Sequence, residues 1–191
     1  MKIIITGGGG FLGSQLAAML LDRGELTGSS GDQEPIEEMV LIDARFPMPQ
    51  NDPRVQQIVG DISESNVIDE AIGSSQNISI FHLASMVSGE CEERYDDALR
   101  VNLDGGRNVF EAARAAKGRP RVVFASSIAC FGGAAMATPV SDLAKQTPQT
   151  TYGMTKAMCE LLINDHTRKG HFDGRSARLP TLIIRPGKPN A

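Results

Sequence analysis

The 191-residue chain has no tryptophan, few aromatic residues and only three cysteines. Cys91, Cys130 and Cys159 are odd in number and widely spaced, which excludes a disulfide framework and a zinc-binding cysteine cluster. We interpret them as free thiols in a reducing compartment. The chain also lacks a basic excess, since 19 lysines and arginines face 23 acidic residues and the formal net charge is −4. Nucleic acid is therefore not an expected partner.

Long hydrophobic runs are absent as well. Residues 1–5 lead straight into glycines, without the apolar segment and cleavage site of a signal peptide. The uncharged stretch 122–141 is interrupted by serine, glycine and proline, so a buried strand followed by a loop explains it better than a membrane span. We predict a cytoplasmic protein with no membrane partner.

Glycine is abundant, at 20 of 191 residues, and apolar residues make up 41% of the chain. This length predicts one domain. Short β-rich runs alternate with helical patterns, which predicts an α/β fold: a Rossmann-like, doubly wound parallel sheet with helices on both faces. The predicted strands are 2–6, 39–43, 55–59, 78–83, 121–125 and 181–185. The predicted helices are 11–23, 64–72, 92–116 and 152–168, and 24–38 is predicted to be a mobile loop.

The strongest motif is the segment TGGGGFLG, residues 6–13, between the first strand and the first helix. Gly7 permits a tight turn, Gly10 lets the backbone approach a pyrophosphate, and Gly13 lets the helix pack closely on the strand. The helix N-terminus adds free N–H groups and a partial positive charge. This context predicts a dinucleotide site. Asp43, at the end of the second strand, is expected to bind the adenosine ribose and so to favour NAD over NADP, although Arg45 offers an alternative partner for a 2′-phosphate.

A second motif, Tyr152-x-x-x-Lys156, places a phenol and an ammonium on one face of a helix. A nearby cation favours the phenolate, so Lys156 is expected to lower the tyrosine pKa and make Tyr152 a usable base. Two serines, Ser126 and Ser127, follow the fifth predicted strand.

The order of these motifs resembles the extended short-chain dehydrogenase/reductase family, which includes NAD-dependent epimerases and dehydratases. The resemblance implies a catalytic set of Ser127, Tyr152 and Lys156, with Ser127 chosen over Ser126 by counting back from Gly132. It also implies a small-molecule substrate and a set of NAD contacts. These contacts are Gly7, Gly10, Phe11, Leu12, Gly13, Asp43, Asp61, Ile62, Leu83, Ala84, Ser85, Asn102, Tyr152, Lys156 and Pro186.

The resemblance narrows the reaction further. Ile128 and Ala129 stand where dehydratases of the family carry an acidic pair, so dehydration is disfavoured. The run 178–190 resembles the sugar-acid branch, the D-erythronate dehydrogenase-like proteins, in which Arg185 or Lys188 could help to hold a carboxylate. The expected reaction is NAD-dependent oxidation of a small sugar acid. A nucleotide-sugar epimerase and a truncated, non-catalytic dinucleotide-binding module are the alternatives.

Family members continue past the sixth strand, so we expect 1–191 to be an NAD-binding Rossmann domain with its Ser/Tyr/Lys site, lacking a C-terminal substrate-binding portion. The resemblance also implies a possible homodimer through helices 92–116 and 152–168. No metal site is expected. We interpret His82, near the end of a buried strand, as a structural residue with a hydrogen-bonded ring.

Overall fold

The computed structural model describes residues 1–28, 30–134, 136 and 138–181. Its β-strands are β1 (Lys2–Thr6), β2 (Glu25–Thr27), β3 (Gln33–Pro35), β4 (Glu38–Asp43), β5 (Val55–Val59), β6 (Ile78–His82), β7 (Arg121–Ser127) and β8 (Asp173–Leu179). Its α-helices are α1 (Phe11–Arg23), α2 (Ser65–Ile72), α3 (Ser88–Glu93), α4 (Tyr95–Ala98), α5 (Gly105–Ala115) and α6 (Thr151–Arg168). A π-helical segment covers Leu99–Asp104, and a 3-10 turn covers Ile128–Cys130.

Six strands form one parallel sheet in the order β5-β4-β1-β6-β7-β8. The predicted doubly wound α/β fold is thereby confirmed. The chain winds in opposite directions on either side of the β1–β6 pair, and ligands of such sheets bind beyond the carboxyl ends of the strands at that point.

Helices cover both faces of the sheet because successive strand residues point to opposite sides. Along β1, Ile4 packs into the larger core cluster with residues of α2, α5 and α6. Its neighbours Ile3 and Ile5 pack into the second cluster, with residues of α1. All three isoleucines are fully buried, so β1 is the central strand on which both layers depend.

The predicted single helix 92–116 is wrong, because three short elements and α5 occupy residues 88–115. Arg94 leaves helical geometry with φ −131° and ψ 67°. Further on, the π-helical segment Leu99–Asp104 carries Asn102, whose side chain bonds backbone outside the helix. Single π-turns within helices often occur at functional sites.

Two further predictions need correction. The predicted loop 24–38 contains the antiparallel hairpin of β2 and β3. The sixth strand of the parallel sheet is Asp173–Leu179, a segment in which no strand was predicted. It lies at the sheet edge and is only partly buried, so its sequence lacks the apolar run that the prediction relied on. Thr181 has no regular structure, and residues 182–185 lie outside the described residues.

Cys91, Cys130 and Cys159 are buried and form no disulfide, as predicted. Among the described residues, every helix is too short or too polar to span a bilayer. The cytoplasmic location stays a prediction.

Helix α6 allows a matched test of core packing. Ile163 is 1% exposed and Leu161, two residues earlier, is 65% exposed. We expect Ile163→Ala to lower the free energy of unfolding by about 2–5 kcal/mol, because it leaves a cavity in the core. At protein concentrations where the chain is monomeric, Leu161→Ala should change it by less than about 0.5 kcal/mol. Urea denaturation measures both, and equal losses would contradict this placement of α6.

Candidate active site

The strand ends of the sheet open onto one large cavity of about 1720 Å³. Its lining includes the described residues of the predicted cofactor and catalytic sets, with the exception of Asn102. Pro186, and the proposed carboxylate-holding residues Arg185 and Lys188, lie outside the described residues. The fold therefore brings the glycine loop, residues 6–13, and the Tyr152–Lys156 motif, which lie far apart in the sequence, to one cavity.

The glycine loop leaves no room for side chains at its first and last positions. Gly7 has φ +74°, and a Cβ there would lie 2.7 Å from the backbone nitrogen of Ala84. A Cβ at Gly13 would overlap the carbonyl oxygen of Gly7. The predicted tight turn and close helix packing are both present. Gly10 is the N-cap of α1 and forms no side-chain cap, so the first-turn amides are left to other partners.

Asp43 has a contact that the sequence did not reveal. Its Oδ2 accepts a hydrogen bond from the Gly9 N–H at 3.0 Å, and its Oδ1 accepts one from the Arg45 N–H at 3.3 Å. The carboxylate at the end of β4 thus fixes the middle of the glycine loop and lines the cavity.

Asp61 and Ile62 follow β5 at the same edge of the sheet. Asp61 accepts hydrogen bonds from the Arg100 guanidinium at 2.5 Å and from the Ser63 N–H at 2.9 Å. Partial burial opposes ionisation, but these hydrogen bonds outweigh it and hold the Asp61 pKa below its ordinary value. Ile62 is buried against Gly105 of α5, where a Cβ would meet its side chain at 2.8 Å.

At the end of β6, His82 has the structural environment that was predicted. Its Nδ1 lies 2.7 Å from Thr6 Oγ1, and its ring stacks on Phe124 with centroids 5.4 Å apart. Burial, aided by the charge of Lys156, lowers the His82 pKa to about 3, so the ring is neutral. Thr6 Oγ1 also accepts a hydrogen bond from the Ala84 N–H at 3.3 Å, which links the histidine to the cavity wall.

Leu83, Ala84 and Ser85 continue this wall. Asn102 holds the backbone of the next residue, Met86. Asn102 Oδ1 accepts a hydrogen bond from the Met86 N–H at 2.7 Å, and its Nδ2 donates to the Met86 carbonyl at 3.3 Å. A buried amide that satisfies both backbone groups of one residue fixes that backbone firmly. Asn102 therefore acts on the wall of the cavity without lining it.

Tyr152 and Lys156 occupy one face of α6, opposite the end of β7. The helix begins after Thr150, whose Oγ1 accepts a hydrogen bond from the Gly153 N–H at 3.0 Å. Lys156 is 3% exposed, its Nζ donates to the Ala125 carbonyl at 2.9 Å, and it lies 5.4 Å from the Tyr152 ring centroid. Ser126 and Ser127 both line the same cavity, but Ser126 is buried and its hydroxyl bonds to Glu160.

The pKa of Tyr152 corrects one prediction. Burial raises this pKa above its ordinary value of 10, and the hydroxyl of Ser127 acts in the opposite direction. The expected lowering by Lys156 is absent; its ammonium bonds to the Ala125 carbonyl and lies 5.4 Å from the centre of the tyrosine ring. Burial also lowers the pKa of Lys156 to about 8, so it is mostly cationic at neutral pH.

Sequence reasoning missed a polar cluster beside this set. Glu160 is almost fully buried and accepts hydrogen bonds from Arg178 and Gln146. Its position four residues after Lys156 was the available signal, since it extends the spacing of Tyr152 and Lys156 along one helix face.

Comparison with known proteins identifies the class. The sequence profile of the NAD dependent epimerase/dehydratase family matches residues 3–187, and the chain belongs to this family. It is 44% identical over 191 residues to the D-erythronate dehydrogenases of Cupriavidus necator and Haemophilus influenzae. In both cases all of this chain aligns with 58% of the relative, so the chain spans little more than half of their length.

Solved structures agree on the fold. A nucleoside-diphosphate-sugar epimerase from Agrobacterium tumefaciens superposes with a TM-score of 0.84 at 42% identity, covering 100% of this chain and 56% of that one. MoeE5 in complex with UDP-glucose and NAD superposes with a TM-score of 0.72 at 26% identity, covering 92% and 52%.

The chain has two tyrosines and no tryptophan, which makes the Tyr152 hydroxyl measurable. In a Tyr95→Phe background, ultraviolet titration should give a Tyr152 pKa above 10, because burial disfavours the phenolate. Ser127→Ala should raise this pKa further, since it removes the hydroxyl that favours ionisation. Ser74→Ala, in the exposed turn after α2 and away from the cavity lining, is the control and should leave it unchanged. A midpoint below 10 would contradict this description of the site.

Proposed function

We propose that the chain is the cofactor-binding and catalytic part of an NAD-dependent oxidoreductase that oxidises a hydroxyl of a small sugar acid such as D-erythronate. The observation that carries the proposal is the meeting of the glycine loop with Ser127, Tyr152 and Lys156 at one cavity. The 44% identity to two D-erythronate dehydrogenases supports the choice of substrate class.

The cavity suits a dinucleotide. No side chain caps the N-terminus of α1 among the described residues, and Phe11, Leu12 and Gly13 of its first turn line the cavity. Such a helix end attracts phosphates through free N–H groups and its dipole. At about 1720 Å³ the cavity exceeds the usual ~300–1,000 Å³ of a small-ligand site, which leaves room for a substrate beside the cofactor.

Each residue of the site has its own role in the proposed reaction. NAD supplies the hydride acceptor. Tyr152, as the phenolate, would take the proton of the substrate hydroxyl, Ser127 would hold the oxygen that loses it, and the carbon bearing that oxygen would give its hydride to NAD. Lys156 uses one ammonium donor on the Ala125 carbonyl, and the other two are available for the nicotinamide ribose. Because the Tyr152 pKa is raised in the chain alone, bound cofactor and substrate must bring the phenol within reach of ionisation.

Activity is tested by following NADH formation with D-erythronate, other small sugar acids and nucleotide sugars. The chain spans 58% of its relatives' length, so the assay uses this chain and a C-terminally longer form. Oxidation of a sugar acid supports the proposal. Conversion of only a nucleotide sugar, without net NADH, indicates the epimerase instead. Binding of NAD with no turnover of any substrate in either form indicates a non-catalytic module.

Tyr152→Phe should lower turnover of the active substrate by about 10²–10⁴-fold, because it removes the group that takes the proton. NAD affinity should stay within about twofold, since an unchanged ring keeps its packing. Steady-state kinetics and calorimetry measure the two effects. Unchanged turnover would rule out the tyrosine as the base.

Coenzyme preference tests the role of Asp43. Asp43→Asn keeps an oxygen for the Gly9 amide but loses the negative charge, so the ratio of NAD to NADP affinity should fall about tenfold, or ~1.4 kcal/mol. Calorimetry with each cofactor measures the ratio. Arg45→Gln is the control and should not weaken NAD binding. Tighter binding of NADP than of NAD by the unaltered chain would refute the assignment.

We propose a homodimer through residues 92–116 and 152–168. Met158 and Leu161 are exposed on α6, by 40% and 65%, and would be covered by a second copy. Sedimentation of the chain and of Leu161→Glu tests it: a dimer that the charge converts to a monomer supports this interface, and a monomer in both cases refutes it.

A further inference from the structure

Glu160 is a buried carboxylate that the Ser-Tyr-Lys chemistry leaves unused. It is 2% exposed and lies on α6 four residues after Lys156. Tyr152, Lys156 and Glu160 therefore follow one another along the same face of the helix. A buried charge is costly unless partners satisfy it, and Glu160 has hydrogen-bond partners on three neighbouring segments.

These partners come from β7, from the segment before α6 and from β8. Arg178 donates to Glu160 through Nη2 at 2.7 Å and through Nε at 3.0 Å. Gln146 Nε2 donates at 2.6 Å, and the Ser126 hydroxyl donates to the other carboxylate oxygen. Cys130 Sγ lies 3.6 Å away. Burial opposes ionisation, but the bonds from Arg178 and Ser126 outweigh it and keep the Glu160 pKa below its ordinary value.

The register of the sheet connects this cluster to Ser127. Ser126 pairs with Arg178, and Ser127 pairs with Leu179. Because successive strand residues point to opposite faces, the first pair faces Glu160 and the second faces away from it. Ser127 and Leu179 both line the cavity. Glu160 binds both members of the first pair, which are the chain neighbours of Ser127 and Leu179.

The same cluster holds one wall of the cavity. Arg178 Nη1 donates to the Asp142 carbonyl at 3.2 Å, and its guanidinium lies 4.8 Å from the centre of the Phe131 ring. Phe131, Asp142 and Arg178 line the cavity. Gln146, which follows Asp142 in the segment before α6, donates directly to Glu160.

We propose that Glu160 and Arg178 are positioning residues: they fix Ser127 relative to Tyr152 and hold the wall formed by Phe131 and Asp142 against the substrate. This inference rests on the proposed function. Glu160 and Arg178 should therefore affect substrate KM and kcat. They should not affect NAD affinity, because the glycine loop lies at the ends of other strands.

Glu160→Gln preserves size and removes the charge. We expect kcat to fall about tenfold or more and the substrate KM to rise, since small displacements of reacting groups are costly, while the NAD dissociation constant stays within about twofold. Asp165→Asn is the matched control, because Asp165 pairs with Arg168 on the exposed side of the same helix. Asp165→Asn should leave kcat, the substrate KM and the NAD dissociation constant unchanged. Unchanged kcat and KM in Glu160→Gln would overturn the proposal.

A second variant tests the proposal if Glu160→Gln does not fold. Gln146→Ala removes one tether and keeps the buried ion pair, and we expect a raised substrate KM with unchanged NAD affinity. Wild-type KM and kcat in this variant would overturn the wall assignment.

Hydrogen–deuterium exchange supplies a measurement that does not need activity. Glu160→Gln should exchange faster than the unaltered chain in peptides covering 126–133 and 138–147, and Asp165→Asn should not. Unchanged exchange in these peptides would contradict the positioning role. If neither the wild-type chain nor its C-terminally longer form oxidises a sugar acid, the proposed function is refuted, and the exchange result still decides whether Glu160 holds this wall.

Discussion

The structure depends on a backbone-to-backbone contact between α1 and the loop after β1. Only glycine fits at Gly13, because any Cβ would overlap the Gly7 carbonyl oxygen, and a Cβ at Gly7 would press on the backbone of Ala84. This contact brings the helix N-terminus down onto the centre of the parallel sheet, between β4 and β6. Asp43 adds a hydrogen bond to the Gly9 amide from the side of β4. The position of the first-turn amides, and with it the dinucleotide site that we propose, follows from this packing.

Helix α6 organises the other half of the cavity. Its three functional positions, Tyr152, Lys156 and Glu160, are four residues apart, and each faces a different partner. Tyr152 lies at the cavity beside Ser127, and Lys156 bonds to the Ala125 carbonyl. Glu160 joins β7 to β8 through Ser126 and Arg178. The reacting residues Tyr152 and Lys156 and the residue Glu160 that bonds to their surroundings therefore lie on one helix. Sites built on rigid helices hold reacting groups more precisely than sites on loops.

Apolar strands and motif residues of this fold could be predicted from the sequence, and less regular elements could not. The strand around Ile3–Ile5 is apolar because both its faces are buried, and its pattern indicates this directly. β8 is an edge strand with polar residues, so hydropathy did not find it. The break at Arg94 and the π-turn at Asn102 depend on contacts with distant backbone. In the site, the residue types and their four-residue spacing predicted the pairing of Tyr152 with Lys156. The raised Tyr152 pKa follows from burial, which sequence spacing cannot show.

The central claim is that one cavity joins a dinucleotide-binding glycine loop to a Ser-Tyr-Lys reaction centre. A crystal structure of the chain with NAD tests it most directly. We predict the pyrophosphate at the N-terminus of α1, the adenosine ribose beside Asp43, and the nicotinamide beside Tyr152 and Lys156. NAD bound with its nicotinamide away from Tyr152 and Lys156, or bound outside this cavity, would contradict the account.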